Sequence, residues 1–421
     1  MSSCSRDYTV AYVYAVSASA SGTISAYAVD YQTGILNQIN GSPFSSTVSQ
    51  PLKVVAHPSN QAIYIVGGPN GSQGNEVETA LVGSDGKLYG QSSINLTGTL
   101  GPGSTNLPTP VGMAVDSTGT YLYVTFTYQN GYSSASPGPG GVTIFKIDQT
   151  NYGLTVVGTV NVGNNPVAVA VSAPVCVSTP IVSGNPGCTT GGSTGAYNTY
   201  VYVVDQEAAL GKPTVLGFAQ NMTSGTLTPL SGTTFNSTLK TYQGISAGVT
   251  PSAIAVDGTA SYVYVTDQET NQIYGYSIAR STTGNLTALP SSPFATGALP
   301  LGVTIDPRAK YVYTANANAG SVSAFAINQS TGSLSAVAGS TFTTQAGTNC
   351  VTIDPNLGVY LYATNYVTNN ISGGKLNAST GVVSAVANTP FPTGTLPSCL
   401  VAVGNGSHAT SETFPVTGTT N

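Results

Sequence analysis

The sequence predicts an all-β fold: a seven-bladed β-propeller of four-stranded antiparallel blades, closed by the C-terminal strand joining the first blade. Three observations predict it. One strand-and-turn template recurs along the chain, its clearest copies begin 49 and 48 residues apart at Pro251, Pro300 and Thr348, and each chain end holds only part of a copy. Composition agrees, since 40% of the 421 residues are hydrophobic, 6% are charged, Gly numbers 50, Tyr 25 and Trp is absent. That mixture suits short strands between turns, and it carries more apolar matter and less charge than a disordered chain.

Each copy reads as an apolar strand ending in Asp, a turn, a Tyr-rich strand, a loop, a third strand, Thr-Gly-x-Leu and a last strand. The copy from Pro251 to Gly297 opens PSAIAVDGTASYVYVTDQETNQIYGYSIAR, the next PLGVTIDPRAKYVYTANANAG, and the third TNCVTIDPNLGVYLYATNYVTNN. Looser copies open at Pro51 (PLKVVAHPSNQAIYIVGG), Pro110 (PVGMAVDSTGTYLYVTF) and Pro166 (PVAVAVS, rejoining at YVYVVDQEAA). Period-2 alternation bounded by Gly, Asn and Pro is what antiparallel hairpins require. The Gly, Ser and Pro-rich insertion from Cys176 to Ala196 reads as a surface loop.

The ends set the expected count. The chain starts in mid-copy at Tyr12-Val13-Tyr14 and finishes with an opening strand, Pro397 to Val403, so the last strand is expected to complete the first blade. The expected propeller spans residues 8–404, with an N-terminal segment 1–7 and a flexible tail 405–421. A ring of this kind hides the strand edges that an open sheet exposes.

With YVYVTDQETN, YVYTANANAG and YLYATNYVTN as signatures, the pattern resembles the YVTN-type propeller repeat and, more broadly, the lactonase-like seven-bladed propellers similar to 6-phosphogluconolactonase and carboxymuconate cyclases. The resemblance covers nearly all of residues 8–404 and implies the fold. It implies lactone hydrolysis as one activity, although its signature residues are strand and turn residues and one fold carries many activities.

Five Cys leave an odd one. Met1-Ser2-Ser3-Cys4-Ser5 resembles the end of a bacterial lipoprotein signal, with Cys4 the lipidated residue; the alternative is an ordinary thiol. Cys176 and Cys188 lie in one insertion and are expected to pair. Cys350 and Cys399 hold the same position in neighbouring copies and are expected to face each other, either as a disulfide or as two buried thiols. Export to a cell-surface, periplasmic or extracellular location follows as the expectation.

Composition also excludes. Net charge is −5 with ten scattered Lys and Arg, so there is no basic stripe for nucleic acid. No apolar run approaches the ~20 residues of a membrane span. Of the two His, His57 takes the turn-Asp position matched by Asp116, Asp257, Asp306 and Asp354, and His408 lies in the tail, so no hydrolase triad is legible. Zinc and phosphate-loop motifs are absent from the sequence.

The candidate site lies just after the second strand of each copy, on the face around the channel mouth. There the chain offers Ser17, Gly67, Phe126, Asp205 with Glu207, Asp267 with Glu269, Asn316 with Asn318, and Asn365 with Tyr366. Asp205, Glu207, Asp267 and Glu269 would gather four carboxylates in one sector, either to hold a hard cation such as Ca2+ or to raise one pKa for acid–base work. The competing reading is that these side chains cap turns. Tyr14, Tyr123, Tyr202, Tyr264, Tyr313 and Tyr362 share another position and read as packing between blades. The leading expectation is a binding or structural propeller with an acidic, amide-rich pocket for a small polar ligand or surface partner. Its rivals are a lactone hydrolase and a self-assembling surface component. A phosphorylated sugar acid calls for Arg or Lys, and Arg280 and Arg308 fall away from the channel loops by template position.

Overall fold

The computed structural model describes residues 8–68, 75–96, 108–128, 140–190, 193–206, 212–237, 241–339 and 341–406. Every regular element among them is a strand, and they assemble as a β-propeller. Among the described residues no helix is long and apolar enough to cross a membrane.

The copy at Pro251 shows the plan. Strands Pro251–Val256, Tyr262–Asp267, Gln272–Ile278 and Leu286–Ala288 pair antiparallel in that order, and Phe294–Ala295 returns to the far end of the third. Asp257 closes the first hairpin by accepting the N–H groups of Ser261 and Tyr262, each at 2.7 Å, and Asp116, Asp306 and Asp354 repeat the role. A hydroxyl two residues before a Phe satisfies an amide of the third strand: Ser292 accepts from Gly275, Ser42 from Ala26, Thr233 from Gly217 and Thr389 from Gly373.

The innermost strands are Pro51–Ala56, Pro108–Val115, Pro166–Val171, Pro251–Val256, Pro300–Ile305, Thr348–Ile353 and Pro397–Gly404. Each touches the next, and Pro397–Gly404 touches both Thr348–Ile353 and Pro51–Ala56. Pro397–Gly404 also pairs with Thr9–Ser17, setting Val401 opposite Tyr14.

Apolar clusters fill the spaces between sheets; one joins Tyr264, Ile273 and Leu289 of one sheet to Val312, Phe325 and Leu334 of the next. The repeated Tyr residues do more than pack. Tyr264 donates its hydroxyl to the turn carbonyl of Gly332 (2.7 Å), Tyr202 to Gly284 (2.6 Å), Tyr14 to Gly86 (2.7 Å) and Tyr362 to Gly34 (2.7 Å), in each case across to a neighbouring sheet. The Tyr two residues earlier lies flat on that turn. Gly34 sits at φ +72°, and a Cβ on it would come within 2.3 Å of the Tyr360 ring, so the turn needs Gly for its backbone and for the space.

One interface departs from this scheme in three places at once. Ala62 replaces the first Tyr, Tyr152 at φ 61° replaces the turn Gly, and His57 replaces the hairpin Asp. Tyr64 still bonds the Tyr152 carbonyl at 3.1 Å. The Tyr152 ring meets His57 edge-on with centroids 4.9 Å apart. His57 Nδ1 accepts the Ser59 N–H (3.1 Å), a local turn bond of the kind Asp makes elsewhere, while Nε2 bonds the carbonyl of Gly119 in the next sheet (2.9 Å).

Both expected disulfides are formed, Cys176–Cys188 with Cα atoms 5.9 Å apart and Cys350–Cys399 at 5.0 Å. The second ties Pro397–Gly404 to the inner strand Thr348–Ile353 beside it. Two expectations are corrected. The insertion is not a plain loop: Val175–Val177, Ser193–Asn198 and Gly187–Thr190 form a small antiparallel sheet that the first disulfide spans. Asn405 is not tail either, because its N–H bonds Val10 O (3.1 Å) and its side chain bonds Thr9 O (2.9 Å). Cys4 and His408 lie outside the described residues.

Candidate functional site at the strand ends around the axis

The candidate residues end the second strands, each paired with the first residue of the inner strand beside it. Asp205 faces Pro166, Asp267 Pro251, Asn316 Pro300, Asn365 Thr348, Ser17 Pro397 and Gly67 Pro51. Phe126 holds the same place opposite Pro110. All of these side chains are buried.

Their polar atoms are directed at the protein's own loops. Asp205 accepts the N–H of Asn165 (2.8 Å) and Asn164 (3.3 Å). Asp267 accepts Val249 N–H (2.5 Å) and Thr250 N–H (3.2 Å) from the loop before the inner strand, and Glu269 and Thr270 N–H (3.1 and 3.3 Å) from its own turn. Backbone donors on both sides call for an acceptor-only group, which is why carboxylates stand here. Asn316 and Asn365 have hydroxyl and amide partners instead: Asn316 donates to Ser321 and Ser323 Oγ, and Asn365 accepts from Thr348 Oγ1 while donating to Asn370 and Ser372.

The outer members of the set are exposed. Glu269 accepts Thr250 Oγ1 at 2.6 Å, Asn318 bonds Ala298 O through its backbone (3.2 Å), and Tyr366 is 41% exposed. Glu207 lies outside the described residues. Among the described residues no group of three His, Cys, Asp or Glu could hold a metal ion.

Arg280 donates to Thr259 O (2.8 Å), while Arg308 pairs with Asp306 at 3.0 Å and bonds Leu357 and Gly358 carbonyls. Arg308 lies in the hairpin turn at the opposite end of its inner strand, and Arg280, in the turn between the third and fourth strands, reaches the hairpin turn of its own blade. Sequence reasoning did not single out the polar side chains of the inner strands. Ser252 donates to Pro300 O (2.7 Å) and Asn349 to Ser398 O (2.9 Å), each lacing one inner strand to the next. Lys53 is the single charged residue on any of these strands, a signal visible in the sequence once the strands are aligned.

Residues 196–353 match the model of a family described as Lactonase, 7-bladed beta-propeller. The fold is that of a lactonase-like propeller. Solved lactonase-like propellers align over nearly the whole chain. A candidate 6-phosphogluconolactonase of Bacteroides uniformis shares 16% identity at TM-score 0.65, covering 94% of this chain and 100% of that one. One of Bacteroides fragilis shares 16% at 0.63, covering 95% and 99%. The periplasmic gluconolactonase of Pseudomonas aeruginosa shares 16% at 0.63, covering 94% and 99%. At such identity these likenesses speak for the fold alone. None of the curated proteins matches the sequence.

Proposed function

We propose that this chain is a lactone hydrolase acting on an unphosphorylated lactone at the face where the second strands end. The observation that carries the reading is the family match over residues 196–353, which takes in Asp205, Asp267, Glu269, Asn316 and Asn318. Substrate class follows from charge. A phosphate ester asks for clustered Arg or Lys, whereas Arg280 and Arg308 are bound to hairpin turns at the far end of the strands. Among the described residues of this face Glu269 is an exposed carboxylate that bonds a hydroxyl rather than backbone amides, and we assign it the activation of water. A pH-stat assay with glucono-δ-lactone and 6-phosphogluconolactone tests the reading. Hydrolysis of the neutral lactone above the spontaneous rate, lost in Glu269→Gln, supports it; no acceleration with either substrate rejects it.

The ring is inferred to hold seven blades closed by strand exchange between the termini. Support comes from the round of touching inner strands, the pairing of Pro397–Gly404 with Thr9–Ser17, and the Tyr362–Gly34 bond. The two disulfides favour an oxidising compartment outside the cytoplasm.

A second reading, a polar-ligand or Ca2+ propeller without turnover, draws on the exposed Glu269, Asn318 and Tyr366 around the buried anchors Asp205, Asp267, Asn316 and Asn365. Self-assembly at a surface is a third, and light scattering showing a concentration-independent monomer would remove it.

A further inference from the structure

Lys53 occupies the third position of its inner strand, just past the bulge, opposite Val66. The equivalent residues are Gly112, Ala168, Ala253, Gly302, Cys350 and Cys399. In this layer the inner strands nearly touch. A Cβ on Gly112 would lie 3.0 Å from the Ala168 Cα and one on Gly302 3.3 Å from the Cys350 Cα, while the Cα atoms of Cys350 and Cys399 are 5.0 Å apart. This layer of the inner strands thus carries hydrogens, methyl groups and one disulfide, and Lys53 is its one charged side chain.

Among the described residues that ammonium has no counter-charge. The strands packed against Pro51–Ala56 are Ala62–Gly67, Pro397–Gly404, Pro108–Val115 and Thr9–Ser17, and none carries Asp, Glu, His, Lys or Arg. Their titratable groups are Tyr12, Tyr14 and Tyr64, plus Cys399, which is bonded to Cys350. The ion pairs among the described residues, Lys87–Asp85 and Arg308–Asp306, are elsewhere. Lys53 is half-buried, and the protein packed around it pulls its ammonium below its ordinary range, with no charged neighbour among the described residues opposing the shift. A lone charge in such a setting is costly unless an opposite charge joins it.

We propose that the axis of the propeller beside Lys53 is a binding site for a small carboxylate, held by a charge-assisted hydrogen bond to the ammonium. One cation suits one negative charge, which favours a carboxylate over a phosphate dianion. The choice of carboxylate rests on the hydrolase reading, because opening a lactone by water yields a hydroxy carboxylate and one proton. Binding draws on the protonated amine, so affinity falls as pH rises through the Lys53 titration.

The test is calorimetric titration of the full chain with sodium gluconate and sodium acetate, at constant ionic strength in NaCl and at two pH values, comparing wild type with Lys53→Met and Lys53→Gln. Saturable binding in wild type, weakened roughly ten- to hundredfold in both variants as loss of a hydrogen bond to a charged group implies, supports the site. Unchanged affinity in the variants, or no heat beyond that of chloride, overturns it. Both variants unfolding makes wild type alone decisive, through the fall in affinity with pH. Gluconate binding without lactone turnover would sink only the hydrolase reading, and turnover without gluconate binding would sink only this one.

Discussion

The Tyr362 hydroxyl bonds the Gly34 carbonyl at 2.7 Å across 328 residues of sequence. Tyr264 makes the same bond to Gly332 only 68 residues away. If the contact between the chain's ends is equivalent to the internal ones, Tyr362→Phe and Tyr264→Phe lose similar stability, about 1–2 kcal/mol each for an unpartnered buried carbonyl. Gly34→Ala is expected to cost more, roughly 1–3 kcal/mol from overpacking against Tyr360 plus the strain of its positive φ. Denaturant midpoints of the three variants measure both; a silent Tyr362→Phe beside a damaging Tyr264→Phe would show that the ends are held differently.

His57 makes stability depend on pH. Burial is the largest influence and lowers its pKa, against the smaller opposing effects of the Gly119 carbonyl and Asp116. The neutral ring donates through Nε2 to Gly119 and accepts from Ser59 at Nδ1. The unfolded chain therefore takes up the proton first as pH falls below about 6.5, and folding free energy is lost from there down through the folded pKa. His57→Gln should be somewhat less stable at pH 8, with a shallower decline between pH 7 and 5 measured by thermal melting.

The two disulfides should differ in weight. Cys350–Cys399 spans 49 residues and Cys176–Cys188 spans 12, which loop entropy converts to roughly 4 and 3 kcal/mol. Cys399→Ser with Cys350→Ser is expected to lower the melting temperature more than the paired Ser changes at 176 and 188. The reverse order would mean that the inner-strand lacing holds the closing strand without help.

Asp205 and Asp267 separate the loop-anchor reading from the cation reading. Acting as acceptors for backbone amides, they should each cost about 1–3 kcal/mol when changed to Asn, equally with Ca2+ and with EDTA. A melting temperature that rises with Ca2+ in wild type and not in the double variant would instead establish a metal site.

Much of the architecture was legible because alternation and turn residues repeat: the strand plan, the inter-sheet Tyr residues and the Cys350–Cys399 pair all appear as shared positions. The insertion was not, since Gly187–Thr190 and Ser193–Asn198 are rich in Gly, Ser and Thr and show no apolar alternation. Strand-end Asp residues are ambiguous from sequence for a different reason. Whether Asp205 meets a ligand or an amide depends on Asn165, 40 residues earlier in the chain, and local pattern says nothing of that meeting. Lys53 is not legible as a site residue from local pattern, because what sets it apart is the absence of charge at the equivalent positions of the other inner strands.

The exchange of bulk between Ala62 and Tyr152 has a consequence for modularity. Elsewhere the ring arrives from the second strand and the turn supplies the hollow; here the turn supplies a ring, which meets His57, and a small residue stands where the strand elsewhere carries Tyr. A module transplanted from this position to another would meet a second ring in the same hollow on one side and an empty hollow on the other. The repeats look alike along the chain, yet this junction acts as a keyed joint, accepting its own neighbour and giving an otherwise near-symmetric ring a defined starting point.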